Sequence, residues 1–245
     1  MELQNKVSLI TGGARVGREV AVQLAARGSD LVLTYRNSKQ SAEEVKRTAE
    51  SFGRKTLLVQ SDLLKSSDVS RVTRHIKKEF GRLDVLVYMA SVYFKTPFRK
   101  LNASAWDQNM GIHLKSAYEL ALGCVPLMTK NGGGRMIYFT DWTSASGRPR
   151  YYDFLPYYVS KAGILGLVES LALELAPGIL VNAVAPGPIL PPRGMSQKKS
   201  TEVKRLTPLR KWGGPEEISK AVLFFIESNF VTGECLRVDG GRHLY

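Results

Sequence analysis

Apolar positions along the chain form two alternating patterns. Short, continuous apolar runs are typical of strands buried on both faces. Between them, longer stretches carry apolar residues at the three-to-four spacing of an amphipathic helix. The strand pattern occurs at residues 6–11, 30–35, 56–60, 83–90, 136–140, 179–186 and 236–240. The helix pattern occurs at residues 16–28, 38–53, 68–81, 104–128, 157–176 and 215–228.

This alternation predicts parallel strands joined by right-handed crossovers, with helices on both faces of the sheet. No low-complexity tract divides the chain, and 245 residues suit one large α/β domain. We therefore predict a single Rossmann-type, doubly wound domain over residues 1–245, with a seven-stranded parallel sheet. Ligands of such folds bind at the carboxyl ends of the strands.

Composition narrows the class of protein. Apolar residues make up 44% of the chain and charged residues 23%, as in an ordinary globular protein. The apolar runs are too short to cross a membrane, and residues 1–10 show no secretion signal. Cys124 and Cys235 fit no metal-ligand spacing, so reduced thiols and no metal site are expected. These features predict a cytoplasmic protein.

The formal net charge is +13, with one concentration of basic residues near the C-terminal end. Its members are Arg193, Lys198, Lys199, Lys204, Arg205, Arg210 and Lys211. Aromatic residues do not alternate with these charges, and no helix-turn-helix or zinc motif appears, so nucleic-acid binding is not expected. Two interpretations stay open: a solvated basic surface, or a surface for an anionic ligand or partner.

The first strand runs through TGGARVG (11–17) directly into a helix. Glycines in such a loop let a pyrophosphate approach the backbone and the helix N-terminus. A site for NAD usually places an acid at the end of the second strand, yet this chain has Arg36 among polar neighbours there. Arg36, with Arg15 approaching from the glycine loop, could bind a 2′-phosphate. We therefore predict NADP(H) as the cofactor.

The segment PYYVSKAG (156–163) places Tyr157 four residues before Lys161. In a helix these two side chains lie on one face, whereas Tyr158 points about 100° away. The spacing alone is compatible with a proton-transfer pair and with two neighbours that merely share a face.

Several ordered motifs resemble the short-chain dehydrogenase/reductase family over nearly the whole chain. They are TGGARVG (11–17), Asp62-Leu63, LVYMAS (86–91), WDQNMGIHLKS (106–116), PYYVSKAG (156–163), VNAVAPGPI (181–189) and VTGECLRVDGG (231–241). The resemblance implies that Tyr157 donates a proton to the substrate carbonyl. It also implies that Lys161 lowers the pKa of Tyr157 and binds the nicotinamide ribose.

The resemblance further implies a set of cofactor-binding positions. Besides Tyr157 and Lys161, these are Thr11, Gly12, Arg15, Val16, Gly17, Arg36, Asp62, Leu63, Ala90, Pro186, Gly187 and Ile189. Residues 188–210 would form a mobile lid over the substrate. A homotetramer built through the helices at 104–128 and 157–176 is the family expectation.

Three departures from the family pattern bear on the chemistry. The usual NNAG is replaced by YMAS (88–91), and the usual catalytic asparagine by His113. Histidine keeps the main-chain carbonyl that holds a relay water in the family, or it is simply packed in the fold. Counting back from Tyr157 places Ser144 at the position of the family serine, whereas aligning the fifth strand places Asp141 there. We favour Asp141, because strands shift less than loops.

These features predict an NADPH-dependent reductase of a carbonyl. A 3-oxoacyl thioester is the first candidate, with the segment 193–211 receiving an acyl carrier protein. A small-molecule substrate of the pteridine class is the second, because pteridine reductases of this family also carry aspartate at the serine position. A non-catalytic NADP-binding regulator is the third, although the intact Tyr157 and Lys161 argue against it.

Overall fold

A computed structural model describes residues 1–192 and 194–244 of the protein. The strands are β1 (Val7–Thr11), β2 (Asp30–Tyr35), β3 (Thr56–Gln60), β4 (Val85–Tyr88), β5 (Gly134–Phe139), β6 (Ile179–Pro186) and β7 (Cys235–Val238). The α-helices are α1 (Val16–Ala26), α2 (Lys39–Ser51), α3 (Ser66–Phe80), α4 (Ala103–Met110), α5 (Ser116–Thr129), α6 (Trp142–Ala145), α7 (Leu155–Leu175), α8 (Gln197–Arg205) and α9 (Pro215–Glu227). Short 3-10 turns lie at Phe98–Lys100 and Arg242–Leu244, and a π-helical turn at Gly111–Lys115.

The strands form one parallel sheet in the order β3-β2-β1-β4-β5-β6-β7. From β1 the chain extends the sheet in one direction to β3. It then returns to the other side of β1 with β4, so that Thr11 lies opposite Tyr88. The strand order reverses between β1 and β4, and this reversal opens a crevice at their carboxyl ends. The predicted doubly wound, seven-stranded fold is confirmed.

Two buried clusters cover the two faces of the sheet. Successive residues of a strand point to opposite faces, so Leu86 and Val87 of β4 belong to different clusters. Leu86 packs with apolar residues of α3, α5 and α7, and Val87 packs with those of α1, α2 and α9. Near-continuous apolar strands are required because both faces are buried.

The helix predicted over residues 104–128 is interrupted in the structure. The N–H group of Ser116 donates to the carbonyl of Gly111, five residues back, which is π-helical geometry. The carbonyl of Ile112, which this N–H would reach in an α-helix, instead accepts hydroxyl groups from Tyr88 at 2.6 Å and from Ser116 at 3.0 Å. These side chains therefore widen the helix where His113 lies.

The segment predicted as a lid contains α8 and lies over the carboxyl edge of the sheet. Trp212 Nε1 donates to Ser200 Oγ at 3.0 Å, which ties α8 to the chain that follows it. Arg193, one of the predicted basic cluster, lies outside the described residues. The mobility of the lid stays a prediction.

In the part of the chain that the structure describes, no helix combines the length and the apolarity needed to span a bilayer.

Candidate active site

The loop between β1 and α1 forms a close backbone turn. Gly12 has a φ of 79°, and a Cβ on Gly17 would collide with the carbonyl oxygen of Gly12. Only glycine fits position 17, because the backbone of the loop passes directly against it. Thr11 Oγ1 accepts hydrogen bonds from the N–H groups of Met89 at 2.9 Å and Ala90 at 3.0 Å. The ends of β1 and β4 are thereby joined beside the N-terminus of α1.

Two connected cavities follow this loop along the carboxyl edge of the sheet. The first, of about 270 Å³, is lined by the ends of β2 and β3 and includes Arg36, Asp62, Leu63 and Ala90. The second has a volume of about 340 Å³. Its lining includes the predicted cofactor residues Gly12, Arg15, Val16, Gly17, Pro186, Gly187 and Ile189. Gly12 borders both cavities, so they adjoin as one groove, whereas Thr11, another predicted cofactor position, is buried and lines neither.

The groove can be tested as a dinucleotide site by its polar atoms. Ser61 follows β3, is only 4% exposed, and lines the first cavity. Its Oγ has no hydrogen-bond partner among the described residues, although buried polar atoms are rarely left unpaired. A ribose or phosphate oxygen could pair with this hydroxyl, and the partial positive charge at the N-terminus of α1 suits a pyrophosphate. The residues present therefore fit a nicotinamide dinucleotide.

The two arginines predicted to share a 2′-phosphate lie apart. Arg36 is exposed at the first cavity, whereas Arg15 lines the second. Arg15 adopts a φ of 53°, uncommon for a residue with a side chain, and its Nη2 donates to the carbonyl of Pro191 at 2.9 Å. This contact spans the groove to the lid. Of the two arginines, only Arg36 lines the cavity at the ends of β2 and β3.

Tyr157 and Lys161 lie on the buried face of α7, with 8% and 4% of their surfaces exposed. Lys161 Nζ donates to the carbonyl of Phe139 at 2.7 Å and lies 5.9 Å from the centre of the Tyr157 ring. Burial lowers the pKa of Lys161 to about 8. Tyr158 lies off this face and is more exposed, as its position in the helix predicts.

Asp141, not Ser144, contacts the tyrosine. Tyr157 Oη donates to Asp141 Oδ2 at 3.1 Å, and Asp141 Oδ1 accepts from the backbone and hydroxyl of Thr143 at 2.8 and 2.6 Å. Ser144 Oγ instead donates to the carbonyl of Tyr158 at 3.3 Å. Burial, and then the charge of Asp141, raises the pKa of Tyr157 well above its usual value of 10. The hydroxyl therefore keeps its proton at neutral pH.

His113 is packed in the fold and is 1% exposed. Its Nε2 accepts from the N–H of Val92 at 3.1 Å, so the proton of the neutral ring is on Nδ1 and is donated to Ser160 Oγ at 2.8 Å. Ser160 in turn donates to the carbonyl of Tyr157 at 2.8 Å. Burial lowers the pKa of His113 to about 2, which keeps the ring neutral. His113 thus positions the backbone of Tyr157, and a relay through its own carbonyl stays a prediction.

An aromatic wall that the sequence analysis did not identify surrounds Tyr157. Tyr93 stacks on Phe154 with ring centres 4.6 Å apart and meets the Tyr157 ring edge-on at 5.0 Å. Trp142 Nε1 donates to Tyr151 Oη at 2.9 Å. Tyr93, Trp142, Tyr151 and Trp212 line a cavity of about 410 Å³ that also contains Asp141 and Lys161. The density of aromatic residues in 151–158 was the available sequence signal.

Comparisons with known proteins agree with this architecture. A family model described as Enoyl-(Acyl carrier protein) reductase matches residues 13–243. A solved short-chain dehydrogenase/reductase from Serratia marcescens is 28% identical with a TM-score of 0.92, over 99% of this chain and 100% of that one. The chain belongs to the short-chain dehydrogenase/reductase family. It is therefore an oxidoreductase, as predicted.

Two further members of the short-chain dehydrogenase/reductase family bear on the substrate. The 3-oxoacyl-[acyl-carrier-protein] reductase FabG of Staphylococcus epidermidis is 30% identical over 246 residues, covering 98% of this chain and all of the relative. The FolM alternative dihydrofolate reductase 1 of Brucella canis, solved in complex with NADP, is 28% identical with a TM-score of 0.90. That comparison covers 100% of this chain and 97% of the other.

Proposed function

We propose that the protein is an NADPH-dependent reductase of a flat nitrogen heterocycle of the dihydropteridine class. The observation that carries this proposal is the contact between Tyr157 and Asp141 beneath an aromatic wall. The proposal reverses the order of the two substrates predicted from the sequence, in which the 3-oxoacyl thioester came first.

The lone pairs of Asp141 favour a substrate with N–H groups. Oδ1 is occupied by Thr143. Among the described residues, Oδ2 receives only the Tyr157 hydroxyl and can accept one more hydrogen bond. A ring N–H or an exocyclic amino group can donate that bond. A ketone oxygen cannot, because it is itself an acceptor and would face a carboxylate. Aromatic side chains such as Tyr93 provide the faces on which a planar ring can stack.

The reaction proposed for these residues is the reduction of a C=N bond. Bound NADPH would supply the hydride. Tyr157 holds the proton that the substrate nitrogen receives, since its raised pKa keeps it protonated. The ammonium group of Lys161 stabilises the phenolate left behind, and Asp141 orients the ring. The bond from Ser160 to the carbonyl of Tyr157 holds the tyrosine in place.

The substrate class is tested by NADPH consumption with purified protein. We expect turnover of a dihydropteridine and of dihydrofolate, and much slower turnover of a 3-oxoacyl thioester and simple ketones. Rapid reduction of the thioester without any reduction of the dihydropteridines would overturn the proposal.

A 3-oxoacyl thioester is the second candidate. It is supported by the name of the FabG relative and by the exposed basic residues of α8, among them Lys198 and Lys199. An acidic acyl carrier protein would be attracted to such a surface.

A homotetramer is also proposed, supported by apolar side chains exposed on α5 and α7, such as Leu122 at 53% and Leu173 at 82%. The cytoplasmic location stays a prediction.

NADPH is expected to bind about tenfold or more tightly than NADH, because a charge-assisted contact between Arg36 and the 2′-phosphate contributes about 1.5–3 kcal/mol. Arg36→Asp should erase or reverse this preference. Arg15→Ala is the matched control: Arg15 lies at the other cavity, so its loss should weaken both cofactors alike. Fluorescence titration measures the affinities. Equal affinities of the wild-type protein for the two cofactors would refute the role of Arg36.

The rate of reduction is expected to fall as pH rises through about 8. Below this pH the ammonium of Lys161 is charged, and above it the neutral amine no longer stabilises the phenolate of Tyr157. Lys161→Arg should remove this fall, even if its rate is lower, because a guanidinium stays protonated far above pH 8. The pH dependence of kcat under saturating NADPH measures the effect. A wild-type rate that does not change well above pH 8 would exclude this role for the charge.

A further inference from the structure

The C-terminal turn after β7 brings a cation into the substrate cavity. Asp239, 5% exposed, organises this turn: Oδ1 accepts from the N–H of Gly241 at 3.0 Å, and Oδ2 accepts from the N–H of His243 at 2.9 Å. His243 Nδ1 also contacts Oδ2 at 2.8 Å. Arg242 lies between these residues, so its backbone is held in place. Its side chain lines the cavity that contains Tyr157 and Asp141.

The guanidinium group of Arg242 is held between the lid and the aromatic wall. Nη1 donates to the carbonyl of Val203 at 3.1 Å and to Thr207 Oγ1 at 3.3 Å, at the end of the lid. The guanidinium carbon lies 5.5 Å from the ring centre of Trp142. Such contacts restrict a flexible side chain before any ligand arrives, which reduces the entropy lost on binding.

Among the residues that the structure describes, Arg242 has no acidic partner in this cavity. The cations in its described lining are Arg15, Lys161 and Arg242, and the one acid there is Asp141. Asp141 is already bound to Tyr157 and Thr143, and Lys161 and Arg15 donate to backbone carbonyls. No carboxylate of residues 1–192 and 194–244 lies within ion-pair distance of Arg242.

We propose that Arg242 determines specificity by binding a carboxylate on a side arm of the substrate. The proposal rests on the proposed function and narrows it: the substrate is a flat nitrogen heterocycle with an anionic arm, such as dihydrofolate, rather than an uncharged dihydropteridine. The ring lies between the aromatic side chains near Asp141, and the arm extends towards the lid. A guanidinium recognises a carboxylate through paired N–H groups, and a cavity of about 410 Å³ has room for more than a bicyclic ring.

The test compares dihydrofolate with its bis-amide, in which both glutamate carboxylates are neutral amides. Binding to the complex of the protein with NADP⁺ is measured by tryptophan fluorescence, and turnover with NADPH is measured separately. The wild-type protein should bind the acid about 10- to 100-fold more tightly than the amide. Arg242→Gln should bring the two affinities together, and Arg242→Lys should keep part of the preference.

Two comparisons separate recognition from support of the lid. A merely structural role of Arg242 would weaken acid and amide alike in Arg242→Gln, which would overturn the proposal. Arg205→Gln removes the same charge from an exposed position on α8 and should leave the preference intact.

The outcomes also separate this inference from the proposed function. Turnover of dihydrofolate without a preference for the acid would reject the role of Arg242 and keep the proposed function. An acid preference in binding without turnover of any dihydropteridine would reject the proposed function and keep the carboxylate site. If neither ligand binds, the carboxylate site is rejected, and turnover of an uncharged dihydropteridine then decides the proposed function.

Discussion

Tyr157→Phe is expected to lower kcat by about 10²- to 10⁴-fold, the range for loss of a positioned proton donor. The affinity for NADPH should be nearly unchanged, because only the hydroxyl is removed. The ring contacts with Tyr93, Phe154 and His113 do not involve that oxygen. Steady-state kinetics with a substrate that the wild-type protein reduces measure kcat, and fluorescence titration measures the affinity for NADPH.

The control for this variant is Tyr158→Phe, next to it in the chain. The backbone carbonyl of Tyr158 accepts a hydrogen bond from Ser144, but its hydroxyl does not line the substrate cavity. Its loss should be nearly silent. Turnover at the wild-type rate by Tyr157→Phe would show that Tyr157 is not the proton donor.

Asp141→Ala is expected to reduce turnover of a dihydropteridine by about 10²-fold, the scale for one positioned polar group in an active site. Alanine also removes the hydrogen bonds that start α6, so a second variant is needed to isolate the charge. Asp141→Asn can still accept from Thr143 and should fold normally. It should lose activity while its melting temperature stays near that of the wild type.

Variants at positions 141 and 144 decide whether Asp141 or Ser144 occupies the position of the family serine. Asp141→Ser should gain reduction of simple ketones, because a hydroxyl can donate to a carbonyl oxygen, but it should not recover reduction of a dihydropteridine. Ser144→Ala should cost almost nothing, since among the described residues its hydroxyl contacts only the carbonyl of Tyr158, at 3.3 Å. A silent Asp141→Ala together with an inactive Ser144→Ala would instead assign the role to Ser144.

The strands could be predicted from sequence because burial on both faces requires apolar runs that polar loops interrupt. The end of β4 was placed too late for a physical reason. Met89 and Ala90 continue the apolar run, yet their N–H groups pair with the hydroxyl of Thr11 rather than with a neighbouring strand. The π turn around His113 could not be predicted from helical periodicity, since it depends on the hydroxyl of Tyr88, more than twenty residues earlier.

The site was predictable where its residues are close in sequence or match family motifs. Tyr157 and Lys161 are one helical turn apart, and aligning β5 gave the correct contact between Asp141 and Tyr157. The contacts of the Arg15 and Arg242 side chains were not predictable. Their partners, Pro191 and Val203, are 176 and 39 positions away in the sequence. Nothing local in the sequence indicates which carbonyl a long, flexible side chain will reach.

The strand order also governs what a ribosome exposes as it makes this chain. β1 lies in the interior of the finished sheet, but one of its hydrogen-bonding edges has no partner until Val85–Tyr88 has been synthesised. Until then, a strand with Leu9 and Ile10 fully buried in the finished protein presents an open apolar edge. Such edges pair readily with other chains. This edge of β1 is therefore a place where a chaperone could protect the nascent chain until residue 88 has been synthesised.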